Sequence, residues 1–279
     1  MSTPSTLFDA YYYQHNCGDP YQPSQAWMSL FEGIAKRIST EIQPTTVLDA
    51  GCAMGFLVKK LRLTGINAFG VDISEYAIEK TDLSIKPFVW VGSVTEPFPQ
   101  KYDLIVSIEV LEHMPKTEAE QAIENFCRHT DDILFSSTPF DYKEITHINV
   151  QPPDYWMEQF ARQNFYRDVD FDASFITPWA VRLRRKSEPL HRIIREYDRK
   201  FWMLNKENFD LRVLAGEMQI QIAQYEQRTA ELENRWTELE GRASWRFVQT
   251  IQKLRLRLAP KNSHRARWLG RLIAIFKTN

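Results

Sequence analysis

Short, largely apolar runs recur along the first two thirds of the chain, each closing on a small or acidic residue. They fall at 47–50, 68–71, 86–91, 103–108 and 132–137. Between them the apolar spacing changes to three and four, as at 56–61 and at 115–130, where Ala119, Ile123 and Phe126 share one side. Runs this short and this apolar suit strands buried on both faces, and helical crossovers between them make the strands parallel. The pattern therefore predicts an α/β fold, a doubly wound, mostly parallel sheet with ligands outside the carboxyl ends of its strands. A helix over 155–163 and two more strands, 166–171 and 180–184, complete this part. Ahead of it, residues 8–38 begin aromatic and turn-rich and continue as a helix with Trp27, Leu30, Phe31 and Ile34 on one face.

Past Arg185 the period becomes seven. With Ile194 at position a, the d series runs Leu190, Tyr197, Leu204, Leu211, Met218, Tyr225, Leu232, Leu239. The a series runs Ile194, Phe201, Asn208, Ala215, Ile222, Thr229, Trp236, Ala243. Such a repeat predicts a coiled coil about 80 Å long. Asn208 at a, with Leu frequent at d, favours a parallel homodimer, while the bulky a and d residues and Gly216 leave a trimer open. Two short amphipathic helices follow, split at Pro260: Phe247, Ile251, Leu254 and Leu258 on the first, Trp268, Leu272, Ile273 and Phe276 on the second. The expected domains are a lid and helix at 1–40, the α/β domain at 41–186, the coil at 187–245 and the tail at 246–279.

Composition changes this picture in one respect. A chain of 279 residues with 43% hydrophobic and 25% charged residues has room for one good core plus appendages, or for two small domains. Its net charge of −1 conceals a polarity: from Gly241 onward there are ten Lys or Arg and no Asp or Glu. The acidic body argues against a nucleic-acid-binding core, and the basic end wants an anionic membrane surface or an acidic protein partner. Cys17, Cys52 and Cys127 lie far apart, which suits a reducing compartment and no disulfide framework. The amino end lacks a basic segment followed by an apolar run, and no stretch of 18 apolar residues occurs, so the expectation is a cytoplasmic protein, peripheral at most on the inner membrane face.

Candidate chemistry gathers at the predicted strand ends. Gly51-Cys52-Ala53-Met54-Gly55 is a turn of small residues leading into a helix, where a ligand can lie against unsatisfied backbone amides. A dinucleotide fingerprint would require glycine at 53 and 56, which are Ala53 and Phe56. Asp72 ends the second strand 21 residues after Gly51, the place of an acid that takes two ribose hydroxyls, and Ile73 follows it. Glu109, Glu112 and His113 leave the fourth strand together, and His147 arrives after the fifth. Two carboxylates and two imidazoles form a candidate site for Mg²⁺ or another divalent metal. Without a metal, His147 or His113 is a candidate general base.

The D-x-G-x-x-x-G of Asp49–Gly55, Asp72, the Gly92-Ser93-Val94 turn and E-x-x-E-H at 109–113 together resemble the class I methyltransferases that use S-adenosylmethionine (SAM). The resemblance covers roughly residues 45–185 and implies their Rossmann-like fold with an antiparallel last strand. It implies Asp49 beside the methionine part of SAM, the backbone of Gly51, Cys52, Ala53 and Gly55 against it, and Asp72 and Ile73 at the ribose. Gly92, Ser93 and Val94 would flank the adenine, Glu109 would serve both the cofactor and catalysis, and Tyr21 would close over the cofactor. E-x-x-E-H is similar to metal-assisted O-methyltransferases of vicinal hydroxyls. The layout of α/β domain, coil and basic tail resembles bacterial methyltransferases of surface-polysaccharide assembly, which implies a sugar hydroxyl as acceptor. The alternatives are an O-methyltransferase of a catechol or other small diol and a non-catalytic coiled-coil scaffold.

Overall fold

The chain is described by a computed structural model over residues 7–17, 19–186, 189–261 and 263–267. The chain divides into two compact units between Phe201 and Trp202. In the first, a seven-stranded sheet runs β1 (Thr46–Ala50), β2 (Asn67–Asp72), β3 (Val89–Val91), β4 (Leu104–Ile108), β5 (Asp132–Ser136), β6 (Phe165–Arg167) and β7 (Val181–Arg185), in the spatial order 3-2-1-4-5-7-6. The first five strands are parallel, and β7 lies antiparallel between β5 and β6. Strand order reverses between β1 and β4, so a crevice opens at their carboxyl ends.

Alternation within the strands builds one core on each face of the sheet. Val47, Ala68, Leu104, Val106 and Leu134 pack with Ile34 of α2 (Gln25–Arg37), Leu57, Val58 and Leu61 of α3 (Phe56–Leu63) and Ala77 and Ile78 of α4 (Glu75–Glu79). Leu48, Ala50, Val71, Ile105, Ile133 and Phe135 face Ile123 and Phe126 of α5 (Lys116–His129) and Trp156 and Phe160 of α6 (Pro153–Ala161). A short helix α1 (Ala10–His15), capped by Asp9 through the amides of Tyr11 and Tyr12, lies ahead of these elements.

Three expectations need correction. The third strand is only Val89–Val91, because Lys86–Phe88 is a 3-10 turn containing Pro87, which has no N–H for the ladder. Strand β6 stops at Arg167, where the Phe171 amide bonds back to the Asp168 carbonyl and turns the chain. Leu30 is 42% exposed, off the buried face of α2 that Phe31, Ile34 and Ala35 supply.

Helix α7 (Leu190–Gly241) opens within the first unit, where Ile193 is buried and the Tyr197 hydroxyl accepts the Arg167 amide at 3.0 Å. In the second unit the heptad residues Leu204, Leu211, Met218, Ile222, Tyr225, Leu232 and Trp236 are all exposed, as are Trp202, Met203, Phe209, Val213 and Ile220 off the seam. The apolar surface of α7 is thus broader than an a/d stripe. Its repeat ends one position early, since the helix is interrupted at Arg242 and Ala243 opens α8 (Ala243–Leu258). On α8, Phe247, Ile251, Leu254 and Leu258 are exposed. The second amphipathic repeat, Trp268 to Phe276, lies outside the described residues. Among those described, no helix is long and apolar enough to cross a membrane.

Candidate active site

The turn after β1 alternates into the left-handed region, with φ of +91° at Gly51, +47° at Ala53 and +73° at Gly55. A Cβ on Gly51 would stand 2.3 Å from Val110 Cγ2, so both conformation and space call for glycine there. The amides of Gly51 and Cys52 donate to the Val71 carbonyl at 2.8 and 3.0 Å, tying the turn to the end of β2. Asp72 completes the tie: Oδ2 accepts the Ala53 amide at 2.7 Å and Oδ1 the Ser74 amide at 2.8 Å. Burial raises the Asp72 carboxyl above its ordinary value, opposed by these two amides. Asp49, 5% exposed, is pushed up to about 8 by burial and then by the Asp72 charge.

Several residues expected at a cofactor turn their side chains elsewhere. Cys52 packs into the core against Gly70, and Val94 is buried in the opposite core, so only their backbones face the turns. Ser93 Oγ accepts the Thr95 amide at 3.2 Å and lies 2.8 Å from Thr95 Oγ1, stiffening its own turn. The Gly92 amide donates to the Asp72 carbonyl at 2.9 Å, and Ile73 packs half-buried on the first core. Tyr21 stacks on Phe56 with centroids 4.8 Å apart and planes at 14°, flanked by Trp27. Burial and the nearby Asp49 hold its phenol well above the ordinary value.

On the other side of the crevice, Glu109 ends β4 in the left-handed region (φ +52°), and its Oε1 accepts Trp179 Nε1–H at 2.9 Å. Glu112 is fully buried on the 3-10 turn Leu111–His113, and burial, then the Glu109 charge, hold its carboxyl well above the usual range. Donor atoms of Glu112, His113 and His147 all lie within 4.8 Å of one another. Of the expected four-residue set, Glu109 is not in that group of three; its carboxyl meets Glu112 and accepts from Trp179.

The two imidazoles lie 4.6 Å apart, centroid to centroid. His147 Nδ1 is 2.8 Å from the Asp141 carbonyl, which can only accept, so Nδ1 donates there. His113 is lowered to about 3 by burial, then by His147, and is therefore neutral. Its Nδ1 meets Thr146 Oγ1 at 2.8 Å and its Nε2 the Tyr12 hydroxyl at 3.5 Å. Phe8 sets its ring edge-on to His113 at 5.5 Å. Helix α1 thus lies over this cluster. It is held at one end by Ser74 Oγ donating to the Phe8 carbonyl at 2.5 Å, and at the other by Asn16 Nδ2 donating to Glu144 Oε1 at 3.0 Å.

Sequence reasoning missed Tyr12, Glu144, Thr146 and Trp179. The aromatic run at 11–13 is the one available signal for Tyr12; the other three sit in irregular segments without periodicity.

Comparison with known proteins places this geometry. The methyltransferase-domain family matches residues 24–169, just over half of the chain. The ubiquinone biosynthesis O-methyltransferase of Paraburkholderia phytofirmans is 34% identical over 82 residues, 26% of this chain and 35% of that protein. The magnesium-protoporphyrin O-methyltransferase of Synechocystis is 31% identical over 98 residues, 33% of this chain and 43% of that one. The chain thus spans less than half the length of either curated relative. In fold it is similar to the crystal structure of magnesium protoporphyrin IX methyltransferase from Synechocystis with bound SAH, at a TM-score of 0.50 and 17% identity, covering 65% of this chain and 99% of that one.

Proposed function

The chain belongs to the methyltransferase-domain family, and from that premise we propose that it transfers a methyl group from SAM to a hydroxyl oxygen. The observation that carries this reading is the setting of three carboxylates, Asp49, Asp72 and Glu109, at the carboxyl ends of β1, β2 and β4 around the 51–55 turn. Each Asp72 oxygen spends one lone pair on a backbone amide and keeps another for a ribose hydroxyl. Backbone at 51–55 and at 92–94 provides close approach for the methionine and adenine ends, with Asp49 next to the ammonium. SAM supplies an electrophilic methyl group when bound; the protein has to orient the acceptor and remove its proton.

For that proton the two histidines divide the work. A group held near 3, as His113 is, makes a lone-pair donor and not an effective base at neutral pH. His147, on the loop after β5 with its Nδ1 held by the Asp141 carbonyl and its Nε2 turned to the cluster, is the general base of this proposal. The donor set Glu112, His113 and His147 also fits a divalent metal, since donor atoms of two imidazoles and a carboxyl group lie within 4.8 Å of one another. A metal bound there would supply Lewis acidity that lowers the pKa of the acceptor hydroxyl. His147→Ala is expected to lose turnover by a factor of about 100 or more while its affinity for S-adenosylhomocysteine stays within twofold. A variant with full turnover sinks this assignment.

Phe140, Tyr142, Ile145 and Ile148 are 61% to 84% exposed on the same loop as His147. This apolar rim supports an acceptor with a flat or apolar portion beside its hydroxyl, as in a ring-borne diol. The relatives' names, ubiquinone biosynthesis and magnesium-protoporphyrin, agree with it better than with a glycan. A sugar acceptor in surface-polysaccharide assembly rests on the C-terminal third alone and is the second reading. An acceptor screen of aromatic diols against nucleotide sugars, with and without Mg²⁺, separates the two.

The broad apolar surface of α7 supports self-association through that helix, and the basic, apolar-faced α8 supports contact with an anionic bilayer. Sedimentation of the full chain is expected to give a dimer or trimer, and flotation with anionic vesicles to recover it only when residues 243–279 are present. A monomer that floats equally well without those residues would remove both assignments.

A further inference from the structure

Helix α8 carries one cation on its apolar side. Ile251, Leu254 and Leu258 recur at spacings of three and four and share a face of the helix. Arg255, four residues after Ile251 and three before Leu258, lies on that face with them, while Arg246, Lys253 and Arg257 fall on the opposite one. The helix stops at Leu258, because Ala259 leaves the helical region (φ −138°) and Pro260 has no N–H with which to continue. An elbow follows. The Ser263 amide donates to the Pro260 carbonyl at 3.1 Å, and Ser263 Oγ accepts the Ala266 amide at 3.1 Å. The chain so turned brings His264 and Arg265 to the apolar face of α8, and with it they line a groove of about 600 Å³ in which Ala259 is buried.

That volume is ample for a small ligand, and the lining says which kind. One wall is hydrocarbon, from Ile251, Leu254 and Leu258, each more than half exposed. Arg255 and Arg265 add two guanidinium groups, and their own segment offers nothing to neutralise them, since from Gly241 onward there is no Asp or Glu. We propose that this groove binds one anionic lipid, its phosphate held by Arg255 and Arg265 and its hydrocarbon chain laid along Ile251, Leu254 and Leu258. A guanidinium fork matches a phosphate with two parallel hydrogen bonds, and its stem covers apolar surface while its head stays at headgroup level. The His264 ring adds an N–H donor on the same side. The inference deepens the reading of α8 as a bilayer contact, and rests on it: the contact becomes a site that holds one lipid.

Decyl phosphate, kept below the concentration at which it forms micelles, stands in for the lipid and is titrated into the full chain. One molecule per chain is expected to saturate it, with inorganic phosphate and decanol each weaker by about tenfold or more. Replacing Arg255→Gln and Arg265→Gln together is expected to weaken decyl phosphate by about tenfold or more. Lys253→Gln with Arg257→Gln removes the same charge from the other face and is expected to stay within about twofold. All four residues are exposed, so neither pair disturbs a core. Equal losses in the two pairs, or binding of inorganic phosphate or decanol as tight as that of decyl phosphate, overturn the site. Flotation with anionic vesicles separates this failure from that of the bilayer reading. A chain that takes up no decyl phosphate yet floats only with residues 243–279 present loses the groove and keeps the bilayer contact. One that floats equally well without those residues loses the bilayer contact, and the groove with it.

Discussion

Asp72→Ala is expected to weaken binding of S-adenosylhomocysteine by about 100-fold or more. The ribose reading gives the carboxylate two charge-assisted hydrogen bonds, each worth roughly 1.5–3 kcal/mol, and a loss of about 2.7 kcal/mol already costs two orders of magnitude. The same substitution strips the Ala53 and Ser74 amides of their acceptor, so the 51–55 turn loses the tie that shapes it. Asp72→Asn separates the contributions, because it retains one acceptor oxygen and the shape of the side chain while giving up the charge. A smaller loss, about tenfold, is expected from it. Calorimetric titration reads both variants, and a thermal melt of each establishes that the fold persists. A folded Asp72→Ala protein that binds as the wild type does would end the ribose assignment.

The second large effect is a pH dependence of SAM binding itself. Asp49 is held near 8 in the free protein, so at pH 6 or 7 it carries a proton. The ammonium of SAM placed beside it favours the carboxylate by about 4 kcal/mol at contact distance in a partly screened site. Binding then expels the proton. Because the complex binds fewer protons than the free protein, affinity rises with pH, by up to about tenfold per unit, and levels off as pH passes 8. The window from about pH 5.5 to 7 is the informative one, since an α-amino group remains charged throughout it. Titration in two buffers of different ionisation enthalpy is expected to reveal close to one proton released per SAM, and Asp49→Asn to abolish both the release and the slope. A wild-type affinity flat across that window would place the ammonium away from Asp49.

The sheet was legible because the residues that build it obey one rule: 47–50, 103–108 and 132–137 are mostly apolar on both faces, with polar residues concentrated towards their ends, as strands covered on both faces require. Asp49, Asp72 and Glu109 could be placed because an acid that ends such a run has only the carboxyl edge to go to. The rule weakens where a side chain and its backbone part company. Cys52 and Val94 belong to the right turns, yet their side chains serve the cores beneath, which no motif spacing reveals. It fails for Thr146 and Glu144, which lie on an irregular loop and matter only through an imidazole 33 residues earlier in one case. Glu109 stands between these cases: its strand end was readable, but its partner Trp179 was not.

Helix α1 touches the loop after β2 through Phe8 and the loop after β5 through Asn16, with Tyr12 between them over His113. It therefore acts as a ruler as well as a cover. One residue added inside it would turn everything downstream by about 100° and advance it by about 1.5 Å, so that Tyr12 and Asn16 would miss their partners while Phe8 still held its own. Along this stretch the number of residues is constrained as tightly as their identity, and a chain altered there in length alone would keep its sheet and its turns but lose the registration of the two half-sites.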